Sequence, residues 1–458
     1  MGTLNKVNEL ISHIEKKSLA VYAKAELLFD PNSFVEVGAF NKDASVVTGY
    51  GIINNKLVYA YFQDGVVSVE HAKKIAEIYD LAIKMGAPVV GVMDSDGLKL
   101  EEGIDAFEAY GILLSNQSHA SGVVPQISIV TGKCIGMSSF IPTLSDFVFM
   151  TTKGKLFMNS PSTFEGIEGK STSYDDLGGF KANASKSGIS HFSYDDEKKC
   201  FNDVRKLIDF FPSNNLEEPR YKSLDDLNRE DAFLNTVVPD DPNSQIDMHS
   251  IITAIADNNE FLEVHKYFAS NIIAGFIKLN GCTIGVVANN GLINIDATQK
   301  AGNLVNICDA FNIPILTLTD TVGYEKSVEQ EYKGIVKYGA KLIFTFANAT
   351  VPKLNVIIRN AIGNSYLLMN SKHIGADIVY AWPTAEISLM DKRSMMDIMK
   401  ISAKDYNLSS NPYSVAGKGY IDDIIVPAHT RKRIISAFEM LSSKREIHAA
   451  KKHSSIEF

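Results

Sequence analysis

The sequence predicts an α/β protein built from two similar domains, and two observations support this prediction. First, short and continuously apolar segments follow helical segments in both halves of the chain, which is typical of parallel strands buried on both faces. Second, matching residues recur at a nearly constant spacing, which indicates an internal duplication. The pairs that share one spacing are Lys74 and Lys300, Pro88 and Pro314, Asp94 and Asp320, and Gly97 and Gly323; the pairs that share a slightly larger spacing are Pro125 and Pro352, and Gly136 and Gly363.

The first half predicts a helix, an extended segment, a hairpin and two helix–strand units. The helix covers residues 4–28 and ends before Pro31, because proline disfavours helical geometry in the residue that precedes it. The hairpin joins residues 45–53 and 57–62 through Asn54 and Asn55, which are typical turn residues. The other predicted elements are an extended segment at 33–37, helices at 70–85 and 104–116, and strands at 89–93 and 126–130.

The second half repeats this order. We predict a hairpin from residues 271–279 and 283–288, helices at 297–311 and 331–347, and strands at 315–318 and 353–358. Residues 212–247 are polar and rich in proline, which is typical of a linker, so we place the domains at 1–220 and 221–458. A last helix at 430–445 begins with Arg431, Lys432 and Arg433, and we interpret this basic turn as solvated surface.

The composition indicates a reduced globular protein. With 45 Lys and Arg residues against 54 Asp and Glu residues, the formal net charge is −9, which argues against nucleic-acid binding. The four cysteines are too few for a disulfide framework, and the ten histidines form no metal-binding motif, so we expect no metal site. Because no apolar run is long enough for a membrane span and no secretion signal opens the chain, we expect a cytoplasmic protein.

A strand–turn–helix arrangement with glycine in the turn occurs four times and is the main candidate functional feature. The turns cover residues 94–97, 132–137, 320–323 and 361–364. A glycine turn that opens a helix collects free backbone N–H groups at one point, where they can hold an oxyanion. The same glycines also have a purely structural explanation as tight strand–helix turns, and spacing alone leaves both interpretations open. The sequence contains no GxSxG motif and no Walker motif.

Longer segments carry a resemblance to a known family. In the first half they are SFVEVG at 33–38, VVTGYGIINN at 46–55, HAKKI at 71–75, GAPVVGVMDS at 86–95, EEGIDAFEAYG at 101–111, SGVVPQISIV at 121–130, DLGG at 176–179 and FFPSNN at 210–215. In the second half they are CDAFNIPILTLTD at 308–320, GAKLIFTFANATVPK at 339–353, SKHIGADIVYAWPTAEISLM at 371–390 and YIDDIIVP at 420–427. From about Leu27 onward the chain resembles the carboxyltransferase subunits of biotin-dependent acyl-CoA carboxylases and the α subunits of biotin-dependent acyl-CoA decarboxylases.

The resemblance implies a fold, an assembly and a mechanism. Each half is expected to have a crotonase-like fold, and the chain is expected to form a homo-oligomer, a hexamer in which the N-domain of one subunit faces the C-domain of another. The N-domain would hold the acyl-CoA, and the C-domain would hold biotin carried on a separate protein. In the family the biotin ureido nitrogen takes the α-proton, while pairs of backbone N–H groups stabilise the two enolates. This explains why the sequence shows no side-chain base.

The resemblance also implies the site residues. The catalytic positions are Gly136, Met137, Asn364 and Ser365, and the substrate-binding positions are Gly97, Leu98, Lys99, Gly323, Gly363 and Tyr366. Lys99 stands where the family has arginine and is expected to contact the phosphate or adenine groups of coenzyme A.

The chain departs from the family pattern at these turns. The family's Cys-Ala-Gly-Gly-Ala becomes Cys-Ile-Gly-Met-Ser at 134–138, and Tyr-Gly-Gly-Ala-Tyr becomes Ile-Gly-Asn-Ser-Tyr at 362–366. Likewise, Asp-Ser-Gly-Gly-Ala-Arg becomes Asp-Ser-Asp-Gly-Leu-Lys at 94–99, and the segment between residues 64 and 71 is shorter than the family's glycine-rich loop. Each turn therefore keeps one glycine and loses another, which matters where the lost position needs a positive φ.

We predict a carboxyltransferase subunit that moves a carboxyl group between carboxybiotin and a small acyl-CoA. The biotin carboxyl carrier protein and the biotin carboxylase are expected on other chains, because the sequence contains no Met-Lys-Met motif and no ATP-grasp domain. Two alternatives stay open. One is the α subunit of a decarboxylase whose membrane partner subunit pumps sodium, which Glu101-Glu102-Gly103 slightly favours; the other is a catalytically degenerate scaffold homologue.

Overall fold

The computed structural model describes residues 3–15, 19–41, 45–169, 171–218, 223, 225–241, 244–402 and 409–451. The chain divides into two compact units. The N-terminal unit comprises Met1–Asn183 with Phe192–Asp209, and the C-terminal unit comprises Ala184–His191 with Phe210–Phe458. The assignment of domains to residues 1–220 and 221–458 stays a prediction.

The N-terminal unit is organised around one mixed sheet. Its strands are β1 (Val35–Val37), β2 (Val46–Ile53), β3 (Lys56–Gln63), β4 (Val66–Val67), β5 (Val89–Met93), β6 (Gly97–Leu98), β7 (Gln126–Val130), β8 (Lys133–Ile135), β9 (Phe147–Thr151), β10 (Lys155–Phe157) and β11 (Phe192–Tyr194). The main sheet has the order β1-β2-β3-β5-β7-β9-β11, and β4 with β6 and β8 with β10 form small parallel pairs. The strands are antiparallel up to β3 and parallel beyond it.

Helices fill the connections of this unit. They are α1 (Thr3–Glu15), α2 (Leu19–Leu28), α3 (Val69–Met85), α4 (Ala106–Ala120), α5 (Phe140–Thr143), α6 (Pro161–Glu168), α7 (Tyr174–Gly178), α8 (Phe180–Ser185) and α9 (Glu197–Phe210). The single helix predicted at 4–28 corresponds to α1 and α2, and residues 16–18 lie outside the described part of the chain. The helix predicted at 70–85 is α3, whose N-cap Ser68 accepts a hydrogen bond from the His71 N–H at 3.2 Å.

The C-terminal unit has the same strand order. Its strands are β12 (Phe261–Val264), β13 (Ile272–Leu279), β14 (Cys282–Asn289), β15 (Ile315–Thr321), β16 (Lys353–Ile362), β17 (Ile378–Ala381), β18 (Glu386–Ser388) and β19 (Asp423–Ile424). They pair in the order β12-β13-β14-β15-β16-β17-β19, with β18 added to β16. The hairpin of β13 and β14 is followed by parallel strands, as in the first unit. The predicted α/β fold with an internal duplication is therefore confirmed.

The helices of the C-terminal unit correct two expectations. They are α10 (Met248–Ile255), α11 (Ile295–Ala310), α12 (Val328–Tyr332), α13 (Ile335–Asn348), α14 (Gly363–Leu368), α15 (Lys392–Met399), α16 (Pro412–Ala416) and α17 (Thr430–Met440). The continuous helix predicted at 331–347 is wrong, because Gly334 adopts a left-handed conformation with φ 85° and separates α12 from α13. The helix predicted at 430–445 is α17, which ends early, at Met440. A short 3₁₀ helix, Leu441–Ser443, follows it.

The interpretation of the first turn of α17 as solvated is wrong for Arg431. Its side chain is only 2% exposed and lies in ion-pair contact with Asp257, at 2.6 Å between Nη2 and Oδ1. Its Nη1 also donates a hydrogen bond to the Ile255 carbonyl at 2.7 Å. Lys432 and Arg433 are partly exposed, as expected for this turn. In the described part of the chain, none of the helices is long and apolar enough to cross a membrane.

Candidate functional site

The predicted turns of each unit lie at the carboxyl ends of adjacent parallel strands, and an aspartate joins them. In the N-terminal unit, Asp94 follows β5 and accepts a hydrogen bond from the Lys133 N–H at 3.1 Å. The Ser95 N–H in turn donates to the Lys133 carbonyl at 2.8 Å. These bonds connect the Gly97 turn with the turn that contains Gly136.

The C-terminal unit repeats this connection. Asp320 is the second-last residue of β15 and accepts a hydrogen bond from the Asn360 N–H at 2.9 Å. Arg359 adds an ion pair to the same carboxylate at 3.0 Å. Asp320 therefore ties the Gly323 turn to the strand that leads into Gly363, as Asp94 does in the first unit.

We call the turns that begin at Gly136 and Gly363 the oxyanion turns. The glycine that remains in each of them occupies the position with left-handed backbone geometry. Gly136 has φ 66° and Gly363 has φ 71°, and each follows an extended isoleucine and starts a helical turn. Met137 and Asn364, which replace the family's second glycine, are the next residues and lie in those helical turns, where φ is negative. The lost glycines were therefore not the ones that the turn geometry requires.

The amide groups that open these two helical turns lack a side-chain cap. Ile135 and Ile362 occupy the N-cap positions and make no capping hydrogen bond. By contrast, Ser68 caps α3 and Asn294 caps α11. Because the first N–H groups of a helical turn have no partner within it, uncapped turns leave donors that can bind an oxyanion.

Hydrogen bonds from side chains hold each oxyanion turn in place. In the N-terminal unit, the Tyr110 hydroxyl of α4 contacts the Ser138 hydroxyl, and Cys134 Sγ donates to the Ser138 carbonyl at 2.9 Å. In the C-terminal unit, Ser365 Oγ donates to the Ile362 carbonyl at 2.8 Å. The sequence did not single out Tyr110, since the residue that it contacts lies on a different element of the chain.

Tyr366, which the resemblance implies as a substrate-binding residue, lies mainly in the core. Its side chain is 7% exposed and belongs to an apolar cluster that includes Ile357, Ala361 and Val415. Among the described residues its hydroxyl has no hydrogen-bond partner, and burial raises its pKa to about 12. Tyr366 therefore belongs to the same apolar cluster as Ala361, which lies two residues before Gly363.

The glycines that follow β5 and β15 also have positive φ, 99° at Gly97 and 144° at Gly323. Their N–H groups donate to Ser95 Oγ at 3.1 Å and Thr321 Oγ1 at 3.4 Å. A Cβ atom at either position would meet nothing within 4 Å, so the space beside both turns is open.

Lys99 lies just beyond the Gly97 turn. Gly97 and Leu98 form β6, which pairs with β4, and the Lys99 N–H continues this pairing to the Val67 carbonyl at 3.0 Å. The Lys99 side chain is 44% exposed, and its ammonium lies 3.5 Å from Glu102 Oε1. The ammonium can therefore reach a ligand anion only in competition with Glu102.

A buried histidine, which the sequence analysis did not single out, connects β3, α3 and β4. Gln63 Nε2 lies 3.1 Å from His71 Nε2, and His71 Nδ1 lies 3.1 Å from Ser45 Oγ. Ser45 Oγ donates to the Val66 carbonyl at 2.8 Å. This chain of bonds requires a neutral imidazole that accepts at Nε2 and donates at Nδ1. Since Val66 belongs to β4, the chain supports the strand against which Gly97 and Leu98 pair.

The His71 chain predicts a pH dependence of stability. Burial lowers the pKa of His71 to about 3, with a smaller contribution from the charge of Lys74. An unfolded chain binds this proton near pH 6.5, so the stability that His71 contributes is complete above pH 6.5 and is lost as the pH falls toward 3. Relative to His71→Gln, we expect the wild type to lose about 1.4 kcal/mol of unfolding free energy per pH unit between pH 6 and 4. Urea unfolding of both proteins measures this difference, and parallel pH profiles would contradict it.

Comparison with known proteins identifies the family. Residues 12–456 match the model of the carboxyl transferase domain. The chain belongs to this family. It is 40% identical to the methylmalonyl-CoA decarboxylase α subunit of Veillonella parvula, over 94% of this chain and 91% of that protein. It is 39% identical to the propionyl-CoA carboxylase β chain of Roseobacter denitrificans, over 96% of this chain and 93% of that protein.

Solved structures of the carboxyl transferase family have the same fold. Transcarboxylase 12S, solved as a hexamer with methylmalonyl-CoA and methylmalonic acid bound, has a TM-score of 0.95 at 35% identity. The alignment covers 100% of this chain and 99% of that chain. The predicted family, the fold of two duplicated crotonase-like domains and the enzyme class of a carboxyltransferase are therefore confirmed.

Within the described residues, no group of His, Cys, Asp and Glu side chains is arranged to hold a metal ion.

Proposed function

We propose that this chain is the subunit that transfers a carboxyl group between biotin, carried on a separate protein, and a small acyl-CoA. Residues 1–220 hold the acyl-CoA and residues 221–458 hold the biotin. The observation that carries this proposal is the matched pair of turns at Gly136–Met137 and Asn364–Ser365. Each unit offers uncapped backbone amides at the same place in the fold.

The two turns suit a reaction that develops negative charge on two carbonyl oxygens. A thioester that loses or gains a carboxyl group at its α-carbon passes through an enolate, and backbone amides at Gly136 and Met137 can stabilise its oxygen. The turn at Gly363 to Ser365 fits the ureido carbonyl of biotin, because its amides are uncapped and a Cβ atom at Gly363 would meet nothing closer than the Leu389 carbonyl at 3.5 Å. When bound, carboxybiotin supplies the carboxyl group and a ureido nitrogen that accepts the α-proton, so these turns need no side-chain base.

The names of the relatives favour a methylmalonyl-CoA or propionyl-CoA substrate. The relatives include decarboxylase α subunits, carboxylase β chains and a methylmalonyl-CoA carboxyltransferase, so the proposal covers both directions of transfer. Its partners are a biotin carboxyl carrier protein and either a biotin carboxylase or a membrane decarboxylase subunit. We propose a cytoplasmic homo-oligomer, specifically a hexamer, because transcarboxylase 12S assembles as one.

The test uses the purified full-length chain with methylmalonyl-CoA and free biotin. We expect propionyl-CoA to form at a rate that saturates with methylmalonyl-CoA and requires biotin, as followed by chromatography. Malonyl-CoA, tested in parallel, defines the acyl group that the site accepts. Absence of transfer together with absence of binding to acyl-CoA and to biotin would contradict the proposed transfer and favour the catalytically degenerate scaffold homologue.

Lys99→Ala is expected to weaken acyl-CoA binding about 2- to 5-fold, the effect of losing one exposed charge contact. Lys73→Ala is the matched control, since Lys73 is similarly exposed but pairs with Glu70 on α3. Isothermal titration with propionyl-CoA measures both variants. An unchanged dissociation constant for Lys99→Ala would remove Lys99 from the site.

A further inference from the structure

Each of the two predicted turns of the N-terminal unit holds a buried serine, and a buried tyrosine contacts one of these serines. Ser95 belongs to the turn that ends at Gly97, and Ser138 directly follows Gly136 and Met137 in the second turn. Tyr110 comes from α4, outside both turns. Each of the three side chains is 1% exposed, so water cannot satisfy their hydroxyl groups.

Two of the three hydroxyl groups bond to each other, and the third bonds within its own turn. Tyr110 Oη and Ser138 Oγ are in hydrogen-bond contact. Burial raises the pKa of Tyr110. Ser95 Oγ accepts the Gly97 N–H at 3.1 Å. Tyr110 therefore ties α4 to the Gly136 turn through Ser138, while Ser95 closes the Gly97 turn on itself.

The contact with Tyr110 fixes the helical turn that carries the oxyanion donors. Ser138 is fixed at two points, because its carbonyl accepts Cys134 Sγ at 2.9 Å while its hydroxyl contacts Tyr110. Ser139 Oγ donates to the Gly136 carbonyl at 2.6 Å and closes the turn. The orientation of the Met137 amide therefore depends on groups that do not themselves reach the ligand.

The C-terminal unit lacks this arrangement at the matching position. Ser365 follows Gly363 as Ser138 follows Gly136, and its hydroxyl donates to the Ile362 carbonyl within its own turn. Ser365 is therefore a natural control for Ser138.

We infer that Tyr110 is a positioning residue for carboxyl transfer, which fixes the Gly136 turn against α4 through the Ser138 hydroxyl. The inference rests on the proposed function only for its kinetic consequence. The hydroxyl of Tyr110 holds Ser138 at a fixed distance from α4, so its loss lets the Met137 amide move away from the developing oxyanion. A misplacement of about 1 Å can lower a rate about 10²-fold.

The test compares Tyr110→Phe, Ser138→Ala, their double variant and Ser365→Ala in the full-length chain. We expect Tyr110→Phe to lower kcat for biotin-dependent conversion of methylmalonyl-CoA about 10- to 100-fold with little change in KM. The double variant should be no slower than the slower single variant, because both remove the same contact. Ser365→Ala should leave amide exchange in the N-terminal unit unchanged.

Amide hydrogen exchange supplies a readout that does not depend on activity. We expect exchange in residues 136–139 to accelerate at least tenfold in Tyr110→Phe and Ser138→Ala while the unfolding midpoint and the helix content stay close to wild type. Unchanged exchange in this segment would overturn the inference whether or not the protein transfers carboxyl groups. An active wild type with equal kcat in Tyr110→Phe would also overturn it, whereas an inactive wild type would count against the proposed function instead.

Discussion

Replacing Gly136 or Gly363 by alanine is expected to slow carboxyl transfer by about 10²- to 10³-fold, the typical effect of losing one oxyanion donor. Both positions have left-handed backbone geometry, where an alanine is strained by about 1–2 kcal/mol. An added Cβ atom would meet no atom closer than 4.0 Å at Gly136 and 3.5 Å at Gly363, so both variants should fold. Relief of the strain rotates the turn and moves the following amide.

The measurement is kcat/KM for biotin-dependent conversion of methylmalonyl-CoA, with circular dichroism as the folding control. The matched controls are Met137→Gly and Asn364→Gly, which restore the family's second glycine. Because both residues already lie in helical turns, we expect these changes to preserve or raise the rate. Wild-type rates in Gly136→Ala and Gly363→Ala would remove the two turns from the mechanism. If the protein binds neither ligand and the double restoration yields no transfer, the proposed transfer is rejected in favour of the scaffold homologue.

Arg431→Ala is expected to lower the stability of the C-terminal unit by about 3–5 kcal/mol. Arg431 is 2% exposed and Asp257 is 4% exposed along their side chains, so the change leaves a carboxylate buried without its cation. Asp257 also accepts the Asn280 and Gly281 N–H groups at 3.1 and 2.8 Å, which fixes it in place. The carboxylate therefore cannot move into water without breaking the turn between β13 and β14.

The fluorescence of Trp382 is a suitable probe for this unfolding transition. It is the one tryptophan of the chain, and its Nε1 donates to Thr430 Oγ1 at 3.0 Å, next to Arg431. The control is Arg433→Ala, since Arg433 is 41% exposed and pairs with Asp423 at the surface; we expect a change below about 1 kcal/mol. The double variant Arg431→Met and Asp257→Asn should recover part of the loss, because it removes both charges. Equal urea midpoints for Arg431→Ala and wild type would contradict a structural role for this ion pair.

The elements that were predicted correctly are those whose pattern is local. The strands predicted at 89–93 and 126–130 are β5 and β7. Every residue of each strand is buried, as expected for parallel strands that are covered on both faces. The helix predicted at 331–347 was wrong, although Gly334 was visible in the sequence. An isolated glycine is tolerated in many helices, and only the packing of α12 and α13 decides that this one turns the chain.

The sequence by itself determined the duplication, the apolar segments that form parallel strands in each half, and the family. These features can be recognised in the linear chain without coordinates: continuous apolar runs, a nearly constant spacing between paired residues, and long motifs. The positions of the turn residues followed from the same information, and their role stays a prediction that the experiments above address.

Only the tertiary structure decided which polar groups are buried together. Arg431 looked like a surface residue because its helix turn is basic, yet its partner Asp257 lies far earlier in the chain, before β12. His71 belongs to a recognised motif, but its bonds to Gln63 and Ser45 join a strand, a helix and a loop. The contact of Tyr110 with Ser138 likewise could not be predicted from the sequence. A buried polar group must find its partner in space, and which group becomes that partner depends on how the sheet and helices pack rather than on neighbours in sequence.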